Sequence, residues 1–129
     1  MEGTLAKKLL LKAGHRAAIL NPPAGYQLGP LPANVTVANT LEEPLDFVQV
    51  FVRSGKEVEA LIPAVMRVLK PDGLLWVSYP KGSSGVDTDL NRDMLWKMMQ
   101  KFGLAGIAMV LLDSVWSAMR LRPAERVGK

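Results

Sequence analysis

Short apolar runs, each bounded by turn residues, set the pattern of this chain. Arg16–Leu20 is the first, lying between Gly14 and Asn21-Pro22-Pro23, and it predicts a buried strand. Val35–Ala38 predicts a second, weaker strand after the proline-punctuated Gly29-Pro30-Leu31-Pro32. Asp46–Val52 predicts the third and strongest, because β-branched and aromatic residues fill it. The period then changes. Ser54 with Glu57 three residues on has the form of a capping box, and Val58, Leu61, Ile62, Val65, Val68 and Leu69 follow at helical spacing. Pro63 inside that run predicts a kink or a break. Pro71-Asp72-Gly73 ends the helix, and Leu74–Tyr79 predicts the fourth strand.

The loop Lys81-Gly82-Ser83-Ser84-Gly85 leads into a second helix, expected over Thr88–Phe102 with Asp87, Thr88 or Asp89 as cap and Gly103 beyond its end. Its predicted buried face is Leu90, Met94, Leu95, Met98 and Phe102, which leaves Trp96 on the opposite side among Arg92, Asp93 and Gln100. Ile107–Leu111 and Trp116–Leu121 read as an antiparallel hairpin joined through Asp113-Ser114. Strands alternating with helices, closed by a hairpin, predict one Rossmann-like α/β domain over residues 1–129. The expected sheet has about six strands, mostly parallel, in the order 2-1-3-4-6-5. The link between the first two strands has about a dozen residues, at the lower limit for a parallel crossover, so no full helix is expected there.

Composition narrows the chemistry. With 49% hydrophobic and 22% charged residues the chain has ordinary globular usage, and 129 residues suit one domain with a real core. The absence of cysteine excludes disulfides, thiolate nucleophiles and cysteine metal sites, and His15 is the only histidine. Lys7, Lys8 and Lys12 interrupt the apolar run Leu9–Leu11, so no signal peptide is read. Ala105–Leu112 is too short to cross a bilayer. A soluble, cytoplasmic protein with no membrane partner is expected. The net charge of +4 sits at the ends. Lys7, Lys8, Lys12 and Arg16 face only Glu2, while Arg120, Arg122, Arg126 and Lys129 face only Glu125. Basic ends suit nucleic acid or anionic lipid. Without interleaved aromatic residues, solvated tails are the better reading, and no nucleic-acid partner is expected.

Several of these segments resemble a shortened class I S-adenosylmethionine-dependent methyltransferase. Lys12-Ala13-Gly14-His15-Arg16-Ala17-Ala18-Ile19-Leu20 is similar to the lead-in to that family's first strand, and Asp46-Phe47-Val48-Gln49-Val50 to its fourth-strand motif. Val68-Leu69-Lys70-Pro71-Asp72-Gly73-Leu74-Leu75 closely resembles the Leu-Lys-Pro-Gly-Gly turn before its fifth strand. The Lys-Ala-Gly-His start, the strand ending Tyr79-Pro80-Lys81 and the Asp-Ser-Val-Trp-Ser tail resemble, more narrowly, a small bacterial family described only as a domain of unknown function.

One departure governs what the resemblance implies. Where a methyltransferase has a Gly-x-Gly-x-Gly turn, this chain has Asn21-Pro22-Pro23-Ala24-Gly25. Glycines there let the backbone approach the cofactor, whereas Pro22 and Pro23 fix φ and remove two N–H donors. The acidic residue before the turn is replaced by Ile19 or Leu20. S-adenosylmethionine binding is therefore carried to no residue, and no cofactor is expected. The leading reading is a non-catalytic domain that binds a small anion or a partner. The alternative is a methyltransferase with an atypical cofactor site.

The remaining candidates each have a plainer meaning. Asn21 to Tyr26 echoes the Asn-Pro-Pro-Tyr motif of amino-group methyltransferases, but two residues separate Pro23 from Tyr26, and a rigid proline turn explains it better. In an open parallel sheet, ligands bind beyond the carboxyl ends of the strands where strand order reverses. Asn21, Arg53, Ser54, Lys81, Ser83 and Ser84 would meet in that crevice with two helix N-termini, which favour anions. His15 falls at the other end of the sheet and reads as structural. Asp87 and Asp89 read as caps, Trp76 and Trp116 as packing, and Met94, Met98 and Met99 as core filler. Trp96, exposed beside Met99, marks a surface for self-association.

Overall fold

Alternation of side chains about a sheet buried on both faces organises the molecule. The computed structural model describes residues 8–26, 31–38, 40–41, 44–80, 90–112 and 115–124. The elements are β1 (Arg16–Leu20), β2 (Thr36–Ala38), β3 (Leu45–Phe51), α1 (Gly55–Val68), β4 (Leu69–Pro80), α2 (Arg92–Gln100), β5 (Leu104–Leu111) and β6 (Trp116–Pro123). They build a six-stranded sheet of order β2-β1-β3-β4-β6-β5. β2, β1, β3 and β4 run parallel, and β6 joins β4 and β5 antiparallel. This is the Rossmann-like architecture and strand order that the pattern predicts.

In β3, Val48 and Val50 face one side while Phe47 and Phe51 face the other, and all are buried. The first side is closed by Val58, Ile62 and Val65 of α1 and by Leu95 and Met99 of α2. The second side is closed by no helix among the described residues. Leu9 and Leu11 of the amino-terminal segment lie over it, next to Trp76, Phe47 and Trp116. The Trp76 indole Nε1–H donates to the Leu9 carbonyl over 2.9 Å, fastening that segment to the middle of β4.

α1 begins with the serine cap that a capping box predicts, while the glutamate reaches one residue further back than the box describes. The Ser54 Oγ accepts from the Glu57 N–H (3.3 Å), and the Glu57 carboxylate accepts from the Arg53 N–H (2.6 Å). The helix then runs unbroken through Pro63, where a kink or break was expected. The carbonyl that Pro63 leaves without a helical donor belongs to Glu59, whose exposed position gives it access to water.

The boundaries of β4, α2 and the two hairpin strands differ from the pattern by more than one residue. β4 starts at Leu69, not Leu74: Leu69 pairs with Leu45, and the register shifts before Phe47 pairs with Leu74, so the Pro71-Asp72-Gly73 turn is taken up as an irregularity inside the strand. α2 is capped by Asn91, whose Oδ1 accepts from the Met94 N–H (2.8 Å), so it starts later than Thr88; Asp87, Thr88 and Asp89 lie outside the described residues. Its buried face is Leu95 and Met99, whereas Met94 is exposed and Met98 only partly buried. Turning the helix by one residue brings Trp96 from the far side to the flank, where its indole closes on Gly106 of β5. A Cβ added at Gly106 would lie 2.9 Å from the indole Cδ1. The hairpin strands run longer than predicted at Leu104 and Pro123, and the Asp113-Ser114 connection lies outside the described residues.

The amino ends of β1, β3 and β4 are tied by Asp46. Its carboxylate accepts from the Arg16 N–H (2.8 Å) and pairs with the Lys70 ammonium (2.9 Å). Burial pushes this carboxyl up, but the Arg16 hydrogen bond, Lys70 and the nearby His15 outweigh it, so it titrates below the usual aspartate range. Among the described residues, no helix is long and apolar enough to cross a membrane.

Candidate functional site

The parallel strands end together at Leu20, Phe51 and Pro80, and the strand order reverses between β1 and β3. This is the edge where an open α/β sheet binds ligands. β1 runs into Asn21, which holds a left-handed φ of 57°, a conformation asparagine tolerates better than most residues. Pro22 and Pro23 follow, and the Tyr26 N–H donates back to the Pro23 carbonyl (3.1 Å) across Gly25, whose φ is 79°. The turn is compact and proline-stiffened, and two of its backbone positions offer no donor.

Tyr26 then folds back onto the second face of the sheet. Its hydroxyl donates to the Gln49 Oε1 (2.8 Å), and the Gln49 Nε2 donates to the Ser78 Oγ (3.1 Å). Gln49 and Ser78 are fully buried. The Tyr26 ring meets Phe51 edge-on at 4.7 Å, and Phe51 meets Trp116 edge-on at 5.1 Å. The Arg53 guanidinium lies over the Trp116 ring, 5.1 Å from its centre. A row from Tyr26 through Phe51 and Trp116 to Arg53 therefore borders the carboxyl edge.

Of the residues expected in the crevice, Asn21, Arg53 and Ser54 are placed at this edge, at the ends of β1 and β3 and the start of α1. The Ser54 hydroxyl accepts the Glu57 N–H as the helix cap. Lys81, Ser83 and Ser84 lie outside the described residues. The Tyr26–Gln49–Ser78 chain escaped the pattern reading, although its signal was present. Gln49 and Ser78 are the polar members of otherwise apolar strands, at positions whose neighbours two residues away face the second side.

His15 sits at the opposite end of the sheet, where its Nδ1 accepts from the Lys12 N–H (3.1 Å) and closes the turn before β1. Among the described residues, no group of three or more His, Asp or Glu side chains is arranged to hold a metal ion. Burial raises the Tyr79 phenol above its ordinary value, opposed by Arg92 and helped by Asp93.

Solved structures share this arrangement. The DhpI–SAH complex matches with a TM-score of 0.66 at 13% identity, covering 92% of this chain and 82% of that one. A SAM-dependent methyltransferase from Aquifex aeolicus matches at 0.62 and 15% identity, over 89% and 85% of the two chains. The N-methyltransferase NodS from Bradyrhizobium japonicum matches at 0.60 and 14%, over 91% and 93%. The fold is that of the class I methyltransferases. No family model matches the sequence, and a search of curated proteins finds no match. At these identities the likeness fixes the methyltransferase-like fold and nothing finer. Within that fold, the turn after β1 carries Asn21-Pro22-Pro23.

Proposed function

We propose that this chain is a degenerate methyltransferase-like domain, akin to the small bacterial family that its Lys-Ala-Gly-His start resembles. It acts in the cytoplasm, binds a small anion at the carboxyl edge of the sheet and transfers no methyl group. The turn after β1 carries this reading. Its two prolines offer no N–H to a cofactor, and Tyr26 fastens its end to Gln49. The edge keeps a cation, Arg53 over Trp116, beside the N-terminus of α1, and both favour negative charge. Asn21 and Ser54 flank it, with Lys81, Ser83 and Ser84 completing the proposed site.

Calorimetry with S-adenosylmethionine and its demethylated product tests the first half. No binding tighter than about 100 μM, or roughly 5.5 kcal/mol, is expected. A tighter constant would favour the rival reading, transfer through an atypical cofactor pose. A phosphate titration followed by amide shifts tests the second half. Residues 53–56 and 81–88 should move, and Arg53→Ala should weaken the response about tenfold or more. Unmoved amides there would remove the anion.

Self-association is a separate part of the proposal. Trp96 is 44% exposed beside the outer edge of β5, where Ile107, Met109 and Leu111 are also exposed. A long, uncharged edge strand is a template for pairing with another chain. Light scattering should find a dimer that Met109→Lys dissolves. A monomer at high concentration rules the surface out.

A further inference from the structure

The amino end of the sheet, opposite the proposed crevice, carries two cations, Lys12 and Arg120, that neither the fold nor the reading above accounts for. A cavity of about 400 Å³ opens there, within the size of small-molecule sites. Lys12, His15, Lys70 and Arg120 line it, with Asp46 as the one carboxylate among the described residues and Leu10 and Leu74 as apolar wall. Asp46 is already committed, through one oxygen to Lys70 and through the other to the Arg16 N–H. Among the described lining residues it leaves Lys12 and Arg120 without a carboxylate of their own.

Arg120 is the decisive member. It lies mid-strand in β6, opposite Trp76 of β4, on the second face of the sheet. Its Nε is buried and has no hydrogen-bond partner, the only such side-chain atom among the described residues. Buried donors are almost always paired, and leaving a charged one unpaired is costly. Burial and the neighbouring Arg122 both pull the guanidinium below its ordinary value. The His15 Nδ1 accepts the Lys12 N–H, so in the neutral ring the proton sits on Nε2, a further donor. Leu10 on the cavity wall has a φ of 69°, held because Leu9 and Leu11 on either side are buried. Such strain is characteristic of ligand clamps.

We propose that this cavity is an anion site for a phosphate monoester with a small apolar body. The dianion would supply the acceptor that Arg120 lacks and offset the excess charge of Lys12 and Arg120. The body would rest on Leu10 and Leu74. The site is independent of the Arg53 edge, because the two lie at opposite ends of the parallel strands.

Titration of the full chain with inorganic phosphate, then phenyl phosphate, followed by amide shifts, tests this. Shifts are expected at Lys12–Arg16, Asp46, Lys70 and Arg120, with phenyl phosphate binding more tightly. Arg120→Met should weaken binding about tenfold or more while leaving any response at 53–56 unchanged. Its thermal midpoint should hold or rise, because an unpaired buried donor is removed. Lys12→Ala, on the exposed rim, should weaken the same response without touching the core. The proposal is overturned if these amides stay still, or if sodium chloride at equal ionic strength moves them as far. It is also overturned if both variants bind like the parent, or if Arg120→Met lowers the midpoint and the phosphate response survives. Shifts from a short oligonucleotide without shifts from either phosphate would replace the monoester with nucleic acid. Loss of the 53–56 response alone would sink the Arg53 reading and leave this one standing.

Discussion

Trp76→Ala is expected to cost the domain about 3–5 kcal/mol, the largest loss from any single truncation in the sheet. A domain of this size has about 5–15 kcal/mol of net stability, so the variant would sit at or near its unfolding threshold. The indole is 1% exposed and stands in the middle of the second face, between Gln49 of β3 and Arg120 of β6. A second loss adds to the cavity. The Leu9 carbonyl accepts from the indole N–H, and Leu9 is fully buried. Without that bond an unpaired carbonyl is left in the core, and the segment over the face loses its anchor. Trp76→Phe separates the two effects, since it keeps much of the ring and loses the N–H. Urea unfolding should show a lower midpoint for both variants, with alanine the lower. Amide exchange at Leu9 and Leu11 should quicken in both. A phenylalanine variant with parental exchange there would mean that packing alone holds the segment.

The same tryptophan shows where a linear reading of the chain stops. β1 and the start of α1 are legible because local chemistry determines them: Gly14 and Asn21-Pro22 bracket one, and Ser54 with Glu57 opens the other. The strand order is legible because alternating strands and helices leave few right-handed arrangements. What escapes depends on partners distant in sequence. Leu9 and Leu11 read as a short run broken by lysines, and only the bond to Trp76, 67 residues away, shows that they cover a sheet face. The rotation of α2 escapes because Met94 and Met98 offer a stripe as regular as Leu95 and Met99. Gly106, which admits the Trp96 indole, decides between them. Arg120 reads as part of a basic tail, whereas period-two counting from Trp116 through Ala118 places it on the buried side of β6. Half of the candidate site is legible in position, because Asn21, Arg53 and Ser54 end up at the edge the strand order dictates, while Lys81, Ser83 and Ser84 lie outside the described residues. Its wiring through Tyr26 and Gln49 is not, because neither spacing nor composition pairs residues on different elements.

Gln49→Leu is expected to destabilise the domain by about 1–3 kcal/mol although it exchanges a polar side chain for an apolar one of similar size in a fully buried position. Area burial alone predicts the opposite sign. The cost comes from what the amide leaves behind. Ser78, also fully buried, loses the N–H donated to its Oγ, and the Tyr26 hydroxyl loses its acceptor. Tyr26 is only partly buried, so its hydroxyl can turn to water, while Ser78 has no such recourse. Gln49→Leu with Ser78→Ala should therefore recover most of the loss, because removing both partners leaves no buried orphan. Tyr26→Phe alone should cost about 1 kcal/mol, and its effect should vanish in the Gln49→Leu background, the mark of coupled residues. The turn should respond as well. Tyr26 closes the Asn21–Tyr26 segment onto the sheet, so exchange of the Tyr26 amide, bonded to the Pro23 carbonyl, should quicken in every variant that breaks the Tyr26–Gln49 bond. If the released turn also gains affinity for S-adenosylmethionine, the tether has been closing a cofactor site. If affinity stays absent, the prolines alone exclude the cofactor, since Pro22 and Pro23 lack the donors however freely the turn moves.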